Sequence, residues 1–291
     1  MCEEPVRNPQ DQTQPVLRTT LRGVRLRRFI HPLLIKLLSL HRSFSLHVEG
    51  DSPQSPCIFI SNHQGVDDIP TAGEVIRKHT HVLVSDEDRT TLSGLLFKLN
   101  GVIWVHRKSK IDRSRAKRDV IDYLQSGESV LMFPEATWNL TPDLLMLPVN
   151  WGAVKMSKEA NVPICPIYLL CAYEDCACYA KIGEPYYPSG DDVRANRELR
   201  DRMASICWHL MEQRPAVKRG ELPENLTKQY LTQRIGWYPR AKKDPKDFVA
   251  YESQFIFHPK EITEHTQAFS HLHCIPANIR TAFLFNKRLK G

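Results

Sequence analysis

A chain of 291 residues with 42% hydrophobic and 25% charged residues has ordinary globular composition and can bury a sizeable core, as one large domain or one domain with an appendage. Its 40 Lys and Arg against 33 Asp and Glu leave a net charge of +7, which suits an anionic partner such as a membrane surface or an acidic cofactor. No helix-turn-helix, zinc-finger or RNP signature accompanies that charge, so nucleic-acid binding is not expected.

Residues 1–16 are polar and proline-bearing, without the apolar segment of a signal peptide, and read as a disordered leader in a cytoplasmic protein. Residues 17–46 are basic and apolar together: Arg18, Arg22, Arg25, Arg27 and Arg28 precede Phe29, Ile30, Leu33, Leu34, Ile35, Leu37, Leu38, Leu40 and Phe44. Pro32 predicts a break into two amphipathic helices, since proline lacks the amide hydrogen a helix interior needs. His31 and Lys36 interrupt the apolar run, which falls short of the roughly 20 residues of a bilayer span. Such helices either lie on an anionic membrane as a peripheral, monotopic anchor or pack on the core.

Residues 47–213 alternate. Strand-like runs at 57–61, 81–85, 102–106, 129–133 and 162–170 are separated by helical patterns near 69–79, 90–99, 111–125 and 152–160. Within 111–125, Ala116, Val120, Ile121 and Leu124 share a face and Gly127 follows as a stop. This alternation predicts an α/β fold with a mixed, largely parallel sheet flanked by helices, whose functional loops lie at strand ends. Residues 191–213 read as an amphipathic helix. Residues 214–291 are polar and aromatic, with Tyr230, Trp237, Tyr238, Phe248, Tyr251, Phe255, Phe257, Phe269 and Phe283, and read as an ordered C-terminal appendage of unknown role. The eight cysteines (2, 57, 165, 171, 176, 178, 207 and 274) read as free thiols. Neither Cys171, Cys176 and Cys178 nor His271-Leu272-His273-Cys274 has paired C-x2-C spacing, so no metal is expected.

The chemistry concentrates after the first core strand, in Ser61-Asn62-His63-Gln64-Gly65-Val66-Asp67-Asp68-Ile69-Pro70. A neutral imidazole accepts a proton near pH 7, and a carboxylate on its other nitrogen fixes the tautomer. On a regular helix Asp67 would lie near the face of His63; for Asp68 to be the partner, His63 must sit in a loop with Asp68 in the first helical turn. Spacing leaves both aspartates open.

Asn62-His63, four residues and Asp68 resemble the NH-x4-D motif of the glycerolipid (1-acylglycerol-3-phosphate) acyltransferases. Gly101-Val102-Ile103-Trp104-Val105-His106-Arg107 resembles that family's second block, Phe133-Pro134-Glu135-Ala136-Thr137 its FPEGT block, and Val162-Pro163-Ile164-Cys165-Pro166-Ile167 its fourth. The four blocks stand in order over roughly residues 45–185. The resemblance implies acyl transfer from acyl-CoA or acyl-carrier protein to a hydroxyl of a lysophospholipid, with no prosthetic group. It implies His63 as base and Asp68 as its orienter. Arg107, Glu135, Thr137 and Trp138 would bind substrate, and Asn62 and Gly65 would shape the oxyanion side.

Several positions depart from the family pattern. Ala136 replaces the glycine of FPEGT, Trp138 the arginine after its threonine, Gly65 the serine after the histidine, and Trp151 a basic residue before Gly152. The lysine usually found before the second block is absent, with Asp86-Glu87-Asp88 there instead. Each charge-assisted bond to phosphate is worth roughly 1.5–3 kcal/mol, so phosphate recognition falls to Arg107, helped by the basic run Lys108, Lys110, Arg113, Arg115, Lys117 and Arg118. The alternatives are a non-phosphate lipid or glycolipid acceptor, with Trp138 or Trp151 stacking on it, or a catalytically silent membrane-binding relative. An intact His63–Asp68 pair speaks against the last.

Overall fold

The computed structural model describes residues 21–40, 44–140, 146–172, 176–214, 224–225 and 243–257. The leader, the residues before 21, most of 214–242 with Tyr230, Trp237 and Tyr238, and the tail from 258 with Phe269, Cys274 and Phe283 lie outside them. The chain divides into two units, Met1–Ile256 and Phe257–Gly291, and the architecture below is that of the first.

Seven strands form one sheet: β1 (Ser45–Glu49), β2 (Ile58–Ser61), β3 (His81–Ser85), β4 (Ile103–Val105), β5 (Val130–Met132), β6 (Ile164–Ala172) and β7 (Ala177–Ile182), in the order β1-β7-β6-β2-β5-β3-β4. Only β6 and β7 run antiparallel; every other adjacent pair is parallel. β2 occupies the middle with all four residues buried, which explains its unbroken apolar run. Ile58 and Ile60 face one core layer, with Val120 and Leu124 of α4 (Lys110–Gln125), Val154 of α5 (Gly152–Ala160) and Leu199 and Met203 of α6 (Asp192–Glu212). Phe59 faces the other, with Ala72, Val75 and Ile76 of α2 (Asp68–Ile76). The largely parallel, helix-flanked sheet expected from the sequence is present.

Three expectations change. β1 begins at Ser45, inside the segment read as N-terminal helices, because Leu46 and Val48 pack into the sheet core while the alternate residues stay polar. Pro32 does not break the N-terminal segment: α1 (Leu21–Leu38) is one helix through it. The missing amide costs about 3 kcal/mol, whereas Leu34, Ile35 and Leu38, all buried on the C-terminal side of Pro32, contribute about 1.5–3 kcal/mol each. Gly73 in α2 permits that packing, since a Cβ there would meet Ile35 Cδ1 at 2.5 Å. Third, the appendage does not begin cleanly at 214. α7 (Pro245–Ser253), capped by Asp244, belongs to the first unit and packs Phe248 on Trp138 and Leu140.

The sheet ends carry different residues. After the carboxyl ends of β2, β3, β4 and β5 come His63, Glu87, Arg107 and Glu135. Before the amino ends of β3 and β5 come His79 and Glu128, with His81 opening β3. Burial holds the His81 imidazole down at about 4.

Candidate active site

Asp68 is the first residue of α2 and His63 sits in the loop before it, which resolves the choice left by the spacing. Asp68 Oδ2 lies 2.8 Å from His63 Nδ1 and also accepts the amide hydrogens of Gln64 and Gly65. A carboxylate at a helix N-terminus that closes its own loop is held rigidly. With Nδ1–H donating to Asp68, the His63 ring carries its lone pair on Nε2. The ring stacks on Phe133 at 4.4 Å between centroids and meets the edge of Trp138 at 5.8 Å.

The backbone of His63 is fixed as firmly. Its N–H donates to Glu135 Oε1 at 2.8 Å, and its carbonyl accepts from the Asn139 amide at 2.6 Å. Glu135, which the resemblance implied would bind substrate, is not among the residues that line the cavity. It is fully buried, its second oxygen accepts the Leu147 amide at 2.7 Å, and it braces the His63 loop from behind. Burial pushes its carboxyl up to about 8 against the pull of those two amide donors, with Asp68 adding to the rise. Asn62, expected on the oxyanion side, turns its side chain to β6 instead. Its Nδ2 donates to the Leu169 carbonyl (3.0 Å) and its Oδ1 accepts the Leu169 amide (2.7 Å), so the side chain is consumed in tying β2 to β6. Gly65 lines the cavity, but its amide serves Asp68.

His63 opens on a cavity of about 520 Å³ between the loops at the carboxyl ends of the strands, α1 and α3 (Leu92–Asn100). That is within the usual range of ligand pockets. Its walls are largely apolar, and Gly65, Arg107, Ala136, Thr137 and Trp138 all line it. Trp151 caps α5 and packs under Lys155.

The polar end of the cavity holds two residues that the sequence reading did not connect to Arg107. The guanidinium donates to Glu87 Oε1 (2.7 Å) and, through both terminal nitrogens, to the Glu252 carboxylate (2.9 and 3.0 Å). Those carboxylates raise the Arg107 pKa further against its burial. Thr137 Oγ1 donates to Glu252 Oε2 at 2.7 Å, Tyr251 hydroxyl to Glu87 at 2.8 Å, and the Phe255 ring lies 3.7 Å below the guanidinium. Asp86-Glu87-Asp88 in place of a lysine signalled the first carboxylate; nothing near Arg107 in sequence signals Glu252. In the following basic run, Arg115 pairs with Asp112 and Lys117 with Glu159.

Residues 44–170 match the family model described as Acyltransferase. Over these residues the chain is similar to acyltransferases. It is 31% identical over 172 residues to 1-acyl-sn-glycerol-3-phosphate acyltransferase alpha of Ovis aries, covering 56% of this chain and 59% of that protein. It is 27% identical over 188 residues to lyso-ornithine lipid O-acyltransferase of Pseudomonas aeruginosa, covering 62% and 68%. The match to the chloroplastic enzyme BAT2 of Brassica napus spans 44% of that protein, so the chain spans about half the length of several curated relatives. The crystal structure of the acyltransferase PlsC from Thermotoga maritima shares the fold, with a TM-score of 0.55 at 18% identity over 66% of this chain and 83% of that one.

Proposed function

We propose that this protein is an O-acyltransferase, moving a fatty acyl group from acyl-CoA or acyl-carrier protein to a hydroxyl of a lysolipid such as 1-acylglycerol-3-phosphate. The observation that carries the reading is the His63–Asp68 pair, 2.8 Å apart, at the wall of an apolar cavity. His63 Nε2 removes the acceptor's hydroxyl proton as the oxygen attacks the thioester carbonyl, and Asp68 balances the imidazolium. The tetrahedral intermediate then collapses, the C–S bond breaks, and the imidazolium returns its proton to the departing thiolate. Phe133 and Trp138 give His63 apolar neighbours on two sides, and a bound acyl chain that excluded the remaining water would favour transfer over hydrolysis.

The protein is proposed to work as a cytoplasmic, peripheral membrane enzyme. No described helix is long and apolar enough to cross a membrane. α1 buries Leu34, Ile35 and Leu38 yet exposes Leu26, Phe29, Leu33 and Leu37 on its other side, and Leu92, Leu95 and Leu99 of α3 are exposed too. Leu37 and Leu92 also line the cavity, so this apolar rim suits an acceptor entering from the bilayer surface.

One observation favours a second acceptor class. Arg107, the cation expected to hold phosphate, is already matched by Glu87 and Glu252, so these three cavity groups sum to −1. A phosphate must displace Glu252, whereas an amine-bearing lysolipid meets a complementary charge, in keeping with the resemblance to the lyso-ornithine lipid enzyme. The test uses purified protein on anionic vesicles with acyl-CoA or acyl-carrier protein, read by mass spectrometry, with His63→Ala alongside. Ester formed on lysophosphatidate supports the first acceptor, and ester formed only on an amine-bearing lysolipid supports the second. Vesicle binding with no product on any acceptor points to a silent relative.

A further inference from the structure

At the amino ends of β3 and β5, away from His63, three buried titratable side chains converge. One ring nitrogen from each of His79 and His81 and a carboxylate oxygen of Glu128 lie within 4.8 Å of one another. The three residues are 7%, 0% and 5% exposed.

The hydrogen bonds around the rings define which nitrogens are open. His79 Nε2 lies 2.9 Å from the Asn100 carbonyl and His81 Nδ1 lies 2.6 Å from the Gly101 carbonyl. A carbonyl only accepts, so those nitrogens carry the hydrogens, and in a neutral ring His79 Nδ1 and His81 Nε2 hold lone pairs. Both are buried and neither meets hydrogen-bond geometry with a described residue, although Glu128 Oε2 stands 3.4 Å from His79 Nδ1 as an ion-pair contact. His31 repeats the pattern: its Nδ1 faces Asn100 Oδ1 at 2.7 Å, its ring stands edge-on to His79 at 5.5 Å, and its buried Nε2 is also without such a partner. Asn100 Nδ2 is committed to the Thr80 carbonyl, which fixes its Oδ1 as an acceptor toward His31.

We infer that His79, His81 and Glu128 form a binding site for one divalent transition-metal ion of the zinc class. Two unprotonated imidazole nitrogens and a carboxylate are the donor types such an ion takes. Holding each imidazole by its other N–H on a backbone carbonyl is the outer-shell arrangement that orients metal-binding histidines. Glu128 Oε1 accepts from the Arg28 guanidinium at 2.8 Å, which leaves Oε2 for the cluster, 3.4 Å from His79 Nδ1. Ligands bound at about 2.1 Å to a tetrahedral ion stand roughly 3.4 Å apart, so closure needs shifts of about an ångström or less per group. Gly101 makes room: at φ +84 it has no Cβ, which would otherwise come within 2.9 Å of both His81 Nδ1 and Arg27 Nη1. Arg27, Arg28 and Lys78 are cations that interact with the cluster, and each weakens attraction for a metal. The competing arrangement is an imidazolium–carboxylate pair, with His79 donating from both nitrogens.

The experiment uses full-length, untagged protein stripped with a chelator and titrated with Zn²⁺ and with Co²⁺. One ion per chain is expected with micromolar or tighter affinity, a rise in melting temperature, and a Co²⁺ spectrum free of thiolate charge-transfer bands. His81→Gln and Glu128→Gln should each weaken binding at least about tenfold, Arg27→Gln should strengthen it, and His63→Ala should leave it unchanged. The wild-type titration stands even if a variant folds poorly. Absence of a stoichiometric ion at tens of micromolar Zn²⁺, thiolate bands with Co²⁺, or binding indifferent to the Glu128 change would each overturn the inference.

Discussion

The two ends of the sheet use the same device for different ends. At the carboxyl end, His63 gives its Nδ1–H to Asp68 and keeps a lone pair on Nε2, at the wall of a cavity. At the amino end, His79 and His81 give their N–H groups to carbonyls, and in the neutral rings their other nitrogens hold lone pairs near a buried carboxylate. In both cases a fixed acceptor selects the tautomer. What differs is access. An open nitrogen beside a substrate cavity can exchange a proton with a reacting group, while an open nitrogen sealed in a core can serve only a cation or remain a cost. A histidine's role is thus set by what its second nitrogen meets, more than by its immediate sequence.

That contrast can be broken by exchanging losses of activity and stability between the two ends. The largest expected effect is His63→Ala, which should lower kcat by about 10³-fold or more with little change in melting temperature. Asp68→Asn should follow it at about 10²–10⁴-fold, because the tautomer is no longer enforced. His81→Ala should do the reverse. It removes a fully buried ring stacked on Tyr123 and leaves the Gly101 carbonyl without its donor, so stability should fall by about 2–4 kcal/mol while kcat is retained. Denaturant titration and steady-state kinetics on the same samples check both, and matched losses at both ends would defeat the distinction.

Glu135 sharpens the comparison, being a carboxyl at the His63 end that is as sealed as the amino-end cluster. Its folded pKa, about 8, stands above the ordinary 4.5, so the native state holds the proton more tightly. The resulting stabilisation is fully present below about pH 4.5 and fades as pH climbs toward 8. Unfolding of wild type and Glu135→Gln at pH 5, 7 and 9 should reveal a decline in the wild type that the variant lacks. Glu252→Gln should release Arg107 and raise kcat/KM for a phosphate-bearing acceptor about tenfold, roughly one charge-assisted bond, with less effect on a neutral acceptor. The smallest effect is expected at Ala136, which adopts φ 58 where the family pattern has glycine. Ala136→Gly should stabilise by about 1 kcal/mol, measured by thermal unfolding, because alanine is strained in the left-handed region.

Much of the fold was legible. Runs such as 58–61 and 81–85 are apolar because central parallel strands are covered on both faces, and such runs announce themselves. β1 and β7 were not legible as strands: five and six residues long at one side of the sheet, they mix polar and apolar positions too briefly for a period to emerge. Pro32 misled because local helix rules omit the burial of Leu34, Ile35 and Leu38, which outweighs one missing amide. At the site, the His63–Asp68 pair was visible as a motif. The roles of Glu135 and Asn62 were not, since a motif names a carboxylate or an amide without saying that backbone donors and acceptors have already consumed it. The His79/His81 pair has none of the paired spacing that marks cysteine metal sites, and alternate residues entering a strand are the signal the sequence carries for it.

The sequence by itself determined the class of fold, the order of the family blocks and the presence of a base with two candidate partners, because these depend on spacing within a few residues. Tertiary structure alone decided that Asp68 is the partner, that Glu252 reaches back across 145 residues to hold Arg107, and that Glu128 meets two histidines. Those contacts join residues far apart in the chain, and their energies depend on burial and hydrogen-bond geometry that no local pattern encodes.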